Sequence, residues 1–387
     1  MVTSSTKAPF AGNRHGWTTR LLRNSSDMTF HFFPRFDRNA ADSPLGDALR
    51  SLAIPHSIFA TSVSLTYKYR LQLLLIGYPR LACSAFVVAM KSMFGWRFDR
   101  GAKPPTVSII SSDVEVLMFA IVRALPFAAK PRFVLMPFIF TQRRSEFINR
   151  VRLFYYRFVM RRVSCAICHS SLETKRYEEM FAGCGTHFVF VPWGTYVPTP
   201  KEISADLVPL RPEKEVPRIV TAGRSGRDYP TLVAAVSNLR CKLTIICNEQ
   251  SALGGIAPSE QVEILTNIFG AEYLVHLLRA DLVVVPLQVD DISAGQMVLI
   301  QAMAYARPLV VTDTPTVGDY LVNDETALLV PRGNIVAMEA AIKRVLDDPA
   351  AAAAMGERAK ARYVSHFSIE QHVHALVHAV TQTLRSR

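Results

Sequence analysis

DDISAGQMVLIQAMAYARPLVV, residues 290–311, reads as a polar loop, then an amphipathic helix, then a buried strand. Gly295 and Gln296 stand where the helix begins. Arg307-Pro308 ends it, because proline cannot continue a helix and disfavours the helical conformation at the residue before it. A helix start of this kind presents free backbone N–H groups and the positive end of a dipole, a natural seat for a phosphate. The apolar positions Met297, Val298, Ile300, Ala302, Met303 and Ala304 are expected to press the helix onto a sheet. The stretch is therefore a candidate diphosphate site.

Outward from it the chain alternates strand and helix. Strand-like runs fall at Thr106–Ser111, Phe133–Pro137, Val163–Cys168 and His187–Val191, with helical patterns between them at Val114–Leu125, Ser145–Arg161 and Leu172–Ala182. A proline-rich connection, Pro192 through Pro217, precedes a second alternation: Arg218–Ala222, Tyr229–Leu239, Lys242–Cys247, Val262–Leu265, Glu272–Arg279, Leu282–Pro286, Gln296–Tyr305, Leu309–Thr312, Ala327–Val330 and Ile335–Asp347. Repeated strand–helix–strand units imply parallel sheets with helices on both faces. Ligands of such sheets bind at the carboxyl ends of the strands.

Three segments from Val216 onward, RIVTAGRSGRDYPTLVAAV, ADLVVVPLQVDDISAGQMVLIQAMAYARPLVVTDTPTVGDYLVNDETALLVPRGN and LDDPAAAAAMGERAKARYVSHFS, resemble the nucleotide-binding half of family-four glycosyltransferases. RVSCAICHSSLETKRYEEMF and FVFVPWGTYVP resemble the first half more loosely. The resemblance implies a GT-B fold, with two Rossmann-like α/β domains facing across a cleft. The expected division is a tail and unassigned segment over 1–60, an acceptor domain over 61–198, a linker over 199–217, a nucleotide-sugar domain over 218–365 and a closing helix over 366–387. It also implies a retaining, metal-independent transfer from a nucleotide diphosphate sugar to a glycan or lipid-linked acceptor, in polysaccharide or glycoconjugate biosynthesis. No cofactor is expected beyond the donor. One departure stands out: where the family carries two glutamates around this helix, the chain has Ser293 and Gln301. The alternative is a non-catalytic relative acting as a binding or scaffolding protein. The missing glutamates support it; the retained arginines and the Gly295-Gln296 loop oppose it.

The loop after Arg218–Ala222 reads Gly223-Arg224-Ser225-Gly226-Arg227-Asp228. Glycine lets backbone approach a phosphate closely, and arginine neutralises a leaving diphosphate. The resemblance assigns that role to Arg224 and Arg227, against the alternative that Arg227 and Asp228 form a local ion pair starting the helix. Gly223, Gly295 and Gln296 are candidates for the diphosphate, and Asp291 for a donor hydroxyl. Asn248 is a candidate for the base or ribose, or else a turn residue. Gln301 meets a ribose if the helix end is open, and otherwise bonds to the helix before it. His169 and Ser170 are acceptor-side candidates. A dinucleotide-dependent oxidoreductase lacks its G-x-G-x-x-G after a strand.

The formal net charge is +12, and it is uneven: residues 1–200 hold 26 Lys and Arg against 11 Asp and Glu, residues 201–387 hold 18 against 21. Such a field suits anionic partners. Residues 143–162, RRSEFINRVRLFYYRFVMRR, place arginines among aromatics as in a helix lying on an anionic membrane. Nucleic acid is disfavoured for want of a recognition motif. Leu71 to Phe94, broken by Pro79-Arg80 and Lys91, reads as an amphipathic helical region rather than a span. The first 50 residues contain no long apolar run of a secretory signal, so a cytoplasmic protein is expected, peripheral on the inner face of the membrane, with residues 1–25 as a mobile tail.

Cys165-Ala-Ile-Cys168-His169, with Cys184 and His187, imitates haem and zinc spacings. A buried strand puts Cys165 and Cys168 on opposite faces, and Ser170 with Glu173 reads as the capping box of the next helix. No metal site is expected. Cys83, Cys241 and Cys247 read as reduced core residues, and His372, His374 and His378 as a solvated helix face.

Overall fold

The computed structural model describes residues 28–33, 43–59, 72–98, 101, 103–142, 145–203 and 216–385. The expected tail over 1–25, Arg143, Arg144 and most of the expected linker lie outside these. The described elements are β1 (Phe30–Phe33), α1 (Pro44–Ser51), β2 (His56–Ile58), a π-turn (Leu73–Gly77) leading into α2 (Tyr78–Phe98), β3 (Val107–Ile110), α3 (Asp113–Arg123), β4 (Arg132–Leu135), α4 (Glu146–Met160), β5 (Cys165–Cys168), α5 (Ser171–Met180) and β6 (His187–Phe190). Then follow β7 (Arg218–Ala222), α6 (Tyr229–Val236), β8 (Lys242–Ile246), α7 (Gln250–Leu253), β9 (Val262–Leu265), α8 (Gly270–Leu278), β10 (Leu282–Val285), α9 (Gln296–Ala304), β11 (Leu309–Thr312), α10 (Pro315–Gly318), β12 (Leu328–Val330), α11 (Ile335–Asp347), α12 (Pro349–His366) and α13 (Ile369–Arg385).

Two six-stranded sheets result, in the orders β2-β1-β3-β4-β5-β6 and β12-β11-β10-β7-β8-β9. The pairs β1–β2, β1–β3, β3–β4, β5–β6, β7–β8, β8–β9, β7–β10, β10–β11 and β11–β12 are all parallel. This is the expected GT-B architecture of α/β sheets. The chain divides into two compact units, residues 1–135 with 162–164 and 376–387, and residues 136–161 with 165–375.

In the first unit, β1, α1 and β2 occupy sequence that has no readable period. FHFF is buried at all four positions, so it shows no alternation of apolar and polar residues. Its rings meet the next layer: Phe33 packs edge-on to Phe119 of α3 at 4.6 Å, and Phe119 to Phe133 at 6.3 Å. Ser43 caps α1 at Gly46 N–H, with Pro44 inside the first turn. Leu71 lies outside the described residues; residues 72–94 are helical, with Pro79 just after the π-helical stretch that leads into α2. Among the described residues no helix is long and apolar enough to cross a membrane.

The second unit is built on the second sheet, buried on both faces. Val283 and Val285 of β10 join one core with Val298, Leu299 and Ala302 of α9; Leu282 and Val284 join the other with Leu232 of α6 and Ile342 of α11. Such strands are apolar at every position. Helix α9 is not amphipathic as expected. Leu299, Ile300, Ala302 and Met303 are wholly buried, because α12 covers the side that faces away from the sheet. Met297 alone of the expected core positions turns out, 40% exposed.

The end of α9 also differs in detail. The helix stops at Ala304, before Arg307-Pro308. Ala306 takes a left-handed conformation (φ 52), its N–H donating to Met303 O and the Arg307 N–H to Ala302 O, a Schellman closure. Gly356 of α12 sits on this turn: a Cβ there would lie 2.1 Å from Ala306 O. Gly356→Ala should therefore destabilise the protein by about 1–3 kcal/mol in urea unfolding, as overpacking does. Gly318→Ala, with nothing within 4 Å of the added carbon, should stay within about 0.5 kcal/mol.

Candidate functional site

A pocket of about 740 Å³ lies within the second unit. Its floor is the carboxyl ends of β7 and β8, with Gly223, Arg224, Arg227, Cys247 and Asn248. One wall is the start of α9, with Ser293, Gly295, Gln296 and Met297. Another is formed by Pro137, Ile139, His169 and Trp193, and a third by Phe269, Gly270 and Tyr273 of the α8 start.

Helix α9 opens at Gly295 in a left-handed conformation (φ 92), and no side chain caps it. The first-turn N–H groups have no partner within the helix, and the pocket is lined by those residues. Facing them is Arg227, 6% exposed. Its Nε donates to Ala222 O at 2.8 Å and its Nη1 to Ser225 O at 2.9 Å, both neutral carbonyls. Burial pulls its pKa down, and nearby Tyr229, Tyr273 and Cys247 pull the other way. Gly223 makes room for the guanidinium, since a Cβ there would lie 2.4 Å from Nη2; one on Gly295 would stand at ordinary contact, 3.7 Å from Nη1. The ion pair weighed for Arg227 and Asp228 is not formed. Asp228 instead caps α6, accepting from Thr231 N–H and Oγ1–H. Arg224 is exposed at the rim of the same pocket.

The opposite corner carries unmet polar groups. His169 is 3% exposed. Its Nδ1–H donates to Val191 O at 2.8 Å, while Nε2 has no partner. Burial foremost, then His372, lowers its pKa to about 3, so the ring is neutral and Nε2 is an acceptor. Trp193 stands edge-on to it at 4.6 Å with its Nε1–H unpartnered, and Gln296, 7% exposed, has an unpartnered amide Nε2. Three residues lining one mostly apolar pocket thus each keep a buried polar nitrogen without a partner, a concentration that points to a ligand site. Tyr320 fixes this wall, its hydroxyl donating to His169 O and accepting from Trp193 N–H.

The remaining candidates are placed as follows. Asn248 lines the pocket, and its Oδ1 accepts from Asn267 N–H, holding the loop after β9. Gln301 does not line the pocket. It bonds to the helix before it, accepting from Tyr273 OH at 2.9 Å, and Tyr273 occupies the wall instead. Asp291 pairs with Arg176 at 2.7 Å and Asp290 with Arg332 at 2.8 Å, and neither lines the pocket. Ser170 caps α5 through Leu172 N–H. The expected capping box is not completed: Glu173 turns its carboxylate to Ser293, accepting from N–H at 2.9 Å and from Oγ–H at 2.6 Å. His372 is not on a solvated face. It is buried in α13, bonding to Pro192 O at 2.8 Å and packing near His169 and Trp193.

Cys165 and Cys168 are buried in β5 as free thiols, and burial pushes Cys165 up to about 12. Among the described residues no group of three or more His, Cys, Asp and Glu side chains could hold a metal.

Known proteins resemble this chain in part of its sequence and in its fold. Residues 243–362 match the family described as Glycosyl transferases group 1. The fold is that of the GT-B glycosyltransferases. Sucrose-phosphate synthase from Thermosynechococcus elongatus superposes with a TM-score of 0.64 at 18% identity, over 93% of this chain and 100% of that one. Anabaena Alr3699/HepE in complex with UDP and glucose does so with a TM-score of 0.56 at 15% identity, over the same shares. Glycogen synthase of Mycobacterium tuberculosis is 32% identical over 96 residues, 25% of this chain and 22% of that protein. The matched region thus spans about a fifth of that relative's length.

His169 and His372, like buried His31 of β1, set an acid limit. Each is neutral in the fold and has its pKa lowered chiefly by burial, His169 to about 3. Unfolded, each takes up a proton below about 6.5. Their contribution to stability is full above that value and is lost as pH falls, by about 1.4 kcal/mol per unit and group. Urea midpoints at pH 7, 5.5 and 4.5 should drop along this slope, and His169→Gln should flatten it.

Proposed function

We propose that this GT-B protein is a glycosyltransferase that moves a sugar from a nucleoside diphosphate sugar to a glycan or lipid-linked acceptor, in polysaccharide or glycoconjugate biosynthesis. The observation that carries the reading is the pairing of buried Arg227 with the uncapped start of α9 across one pocket. A guanidinium bonded only to neutral carbonyls, set against a positive helix end, is a site for a compact anion. UDP in the HepE neighbour is such an anion.

Transfer begins with cleavage of the bond between the anomeric carbon and the diphosphate oxygen. The charge that develops on that oxygen falls on Arg227, Arg224 and the first N–H groups of α9, whose orientation is fixed before the reaction. These groups supply the stabilisation a divalent cation gives elsewhere. A small turn of His169, Gln296 or Trp193, which all line the pocket, brings its unpartnered nitrogen to a hydroxyl or oxygen of the sugar. The acceptor hydroxyl oxygen bonds to the anomeric carbon on the face the diphosphate leaves and its proton passes to the departing diphosphate oxygen, which gives retention. The rival, a non-catalytic binding protein, draws on the absence of a carboxylate at Ser293 and on the commitment of Gln301 to Tyr273.

A thermal-shift panel with UDP, GDP and ADP tests this. A nucleotide at about a hundredfold over its Kd adds roughly 2.7 kcal/mol of stability. One nucleotide should shift the transition, Arg224→Ala should weaken the shift, and Arg227→Met should abolish it. No shift with any of the three selects the binding protein.

A lipid-linked acceptor also requires a surface for the bilayer, and α4 offers one. Phe147, Val151, Phe154 and Phe158 fall on one stripe at spacings of four, three and four, with Phe147 76% and Phe154 78% exposed. Val159 and Met160 face inward. Exposed Arg150, Arg157 and Arg161 flank the stripe, a charge that repels a second copy and attracts anionic headgroups. Peripheral work at the inner face of the membrane follows. The full chain should sediment with vesicles containing phosphatidylglycerol and not with pure phosphatidylcholine, and Phe147→Ser with Phe154→Ser should remove that binding. Equal binding by the double variant would discard the surface.

A further inference from the structure

The Glu173 carboxylate is wholly buried, yet it is aimed at a residue of the pocket wall. Both of its oxygens are taken by Ser293, one by the backbone N–H at 2.9 Å and one by the hydroxyl at 2.6 Å. A carboxylate in that geometry has no proton to give, so the Ser293 hydroxyl is the donor. Its proton is thereby committed inward, and what Oγ can offer the pocket is a lone pair. The short charge-assisted bond polarises that oxygen and makes it a stronger acceptor.

We propose that Glu173 and Ser293 form a relay that presents carboxylate charge to a hydroxyl of the donor's sugar, with Ser293 the contacting residue and Glu173 its positioning residue. The inference rests on the nucleotide-sugar reading above, and it deepens that reading by giving the pocket a sugar-selective element. The relay is rigid. Ser171 of α5 gives its N–H and hydroxyl to the two oxygens of Asp319, at 2.9 and 2.8 Å. Arg176 grips Asp291 through its side chain at 2.7 Å and its carbonyl at 3.1 Å. The first two turns of α5 are thus fastened on both sides of the relay. Ser293 has little freedom to turn its hydroxyl elsewhere.

The relay also accounts for the departure at this position. A side chain as short as serine reaches less far than a glutamate, but here it carries a carboxylate's influence from 120 residues upstream. The charged groups bearing on Glu173 are Arg176, which favours its ionised form, and Asp291, which opposes it; burial outweighs both and raises its pKa. Cys168 and Tyr177 also lie within its influence, both held neutral by burial.

Calorimetric titration of the full chain with UDP and with UDP-glucose tests the relay. Glu173→Gln should leave the Kd for UDP within about twofold and weaken UDP-glucose about tenfold, the worth of one good hydrogen bond to a charged group. Ser293→Ala, which keeps the backbone bond, should do the same and covers the case in which the first variant fails to fold. The exchange Glu173→Ser with Ser293→Glu should recover most of what either change alone loses. In the wild type the preference for UDP-glucose should fade as acid protonates Glu173, and Glu173→Gln should show no such fading. Loss of UDP and UDP-glucose together would reduce Glu173 to a packing residue, and no loss of either would discard the relay. A wild-type chain that binds neither ligand, nor GDP or ADP in the thermal panel, overturns the nucleotide-sugar reading and the relay with it.

Discussion

The start of α9 cannot be capped from within, and much of the second unit is arranged around that constraint. Gly295 brings the chain in at positive φ, where a side chain is strained, so the residue that might have capped the helix has no side chain to do it. The helix behind it is buried on nearly every side, so it cannot tilt to find water. Its first N–H groups must therefore be met by something in the pocket. Arg227 reinforces the same demand. A guanidinium packed against Gly223 and bonded to carbonyls keeps its charge without a carboxylate neighbour to neutralise it.

Many buried polar groups elsewhere in the unit are met, with Thr221 Oγ1 and His276 Nδ1 as exceptions that do not line the pocket. Tyr320 spends its hydroxyl twice, on His169 O and Trp193 N–H. Thr312 Oγ1 meets Leu287 N–H, and Tyr273 meets Gln301. Against that background, unpartnered nitrogens on His169, Trp193 and Gln296 lining one pocket are not scattered defects. Buried polar atoms left open in one place are what a ligand-binding protein pays in stability for affinity.

The sequence carried the architecture well and the site unevenly, for physical reasons. Ile335–Asp347 and Val262–Leu265 have the residue bounds that periodicity suggests, because each has a cap or a turn at its ends. Strand β1 escaped because burial on both faces erases alternation. Residues adjacent along the chain, such as Gly223, Arg224 and Arg227, could be grouped from a single loop. Glu173 and Ser293 could not, since they meet across 120 residues and nothing local marks the meeting. A capping box for Glu173 was a sound local reading that a tertiary bond displaced. His372 failed in a similar way: three histidines on one helix look alike in sequence, and only packing singles out the one that is buried.

The wall bearing His169 and Trp193 has one more property. Thr195 N–H donates to Phe367 O, Gly194 leaves no room for a side chain against Phe367 and Ser368, and His372 closes over Pro192. A ribosome making this chain releases residue 193 long before residue 372 exists, an interval on the order of tens of seconds at about 5–20 residues per second. During it the wall has no backing. A nascent chain can thus form its strands in order and yet leave this wall unbacked until residue 372 is made, which ties the birth of the site to the synthesis of α13.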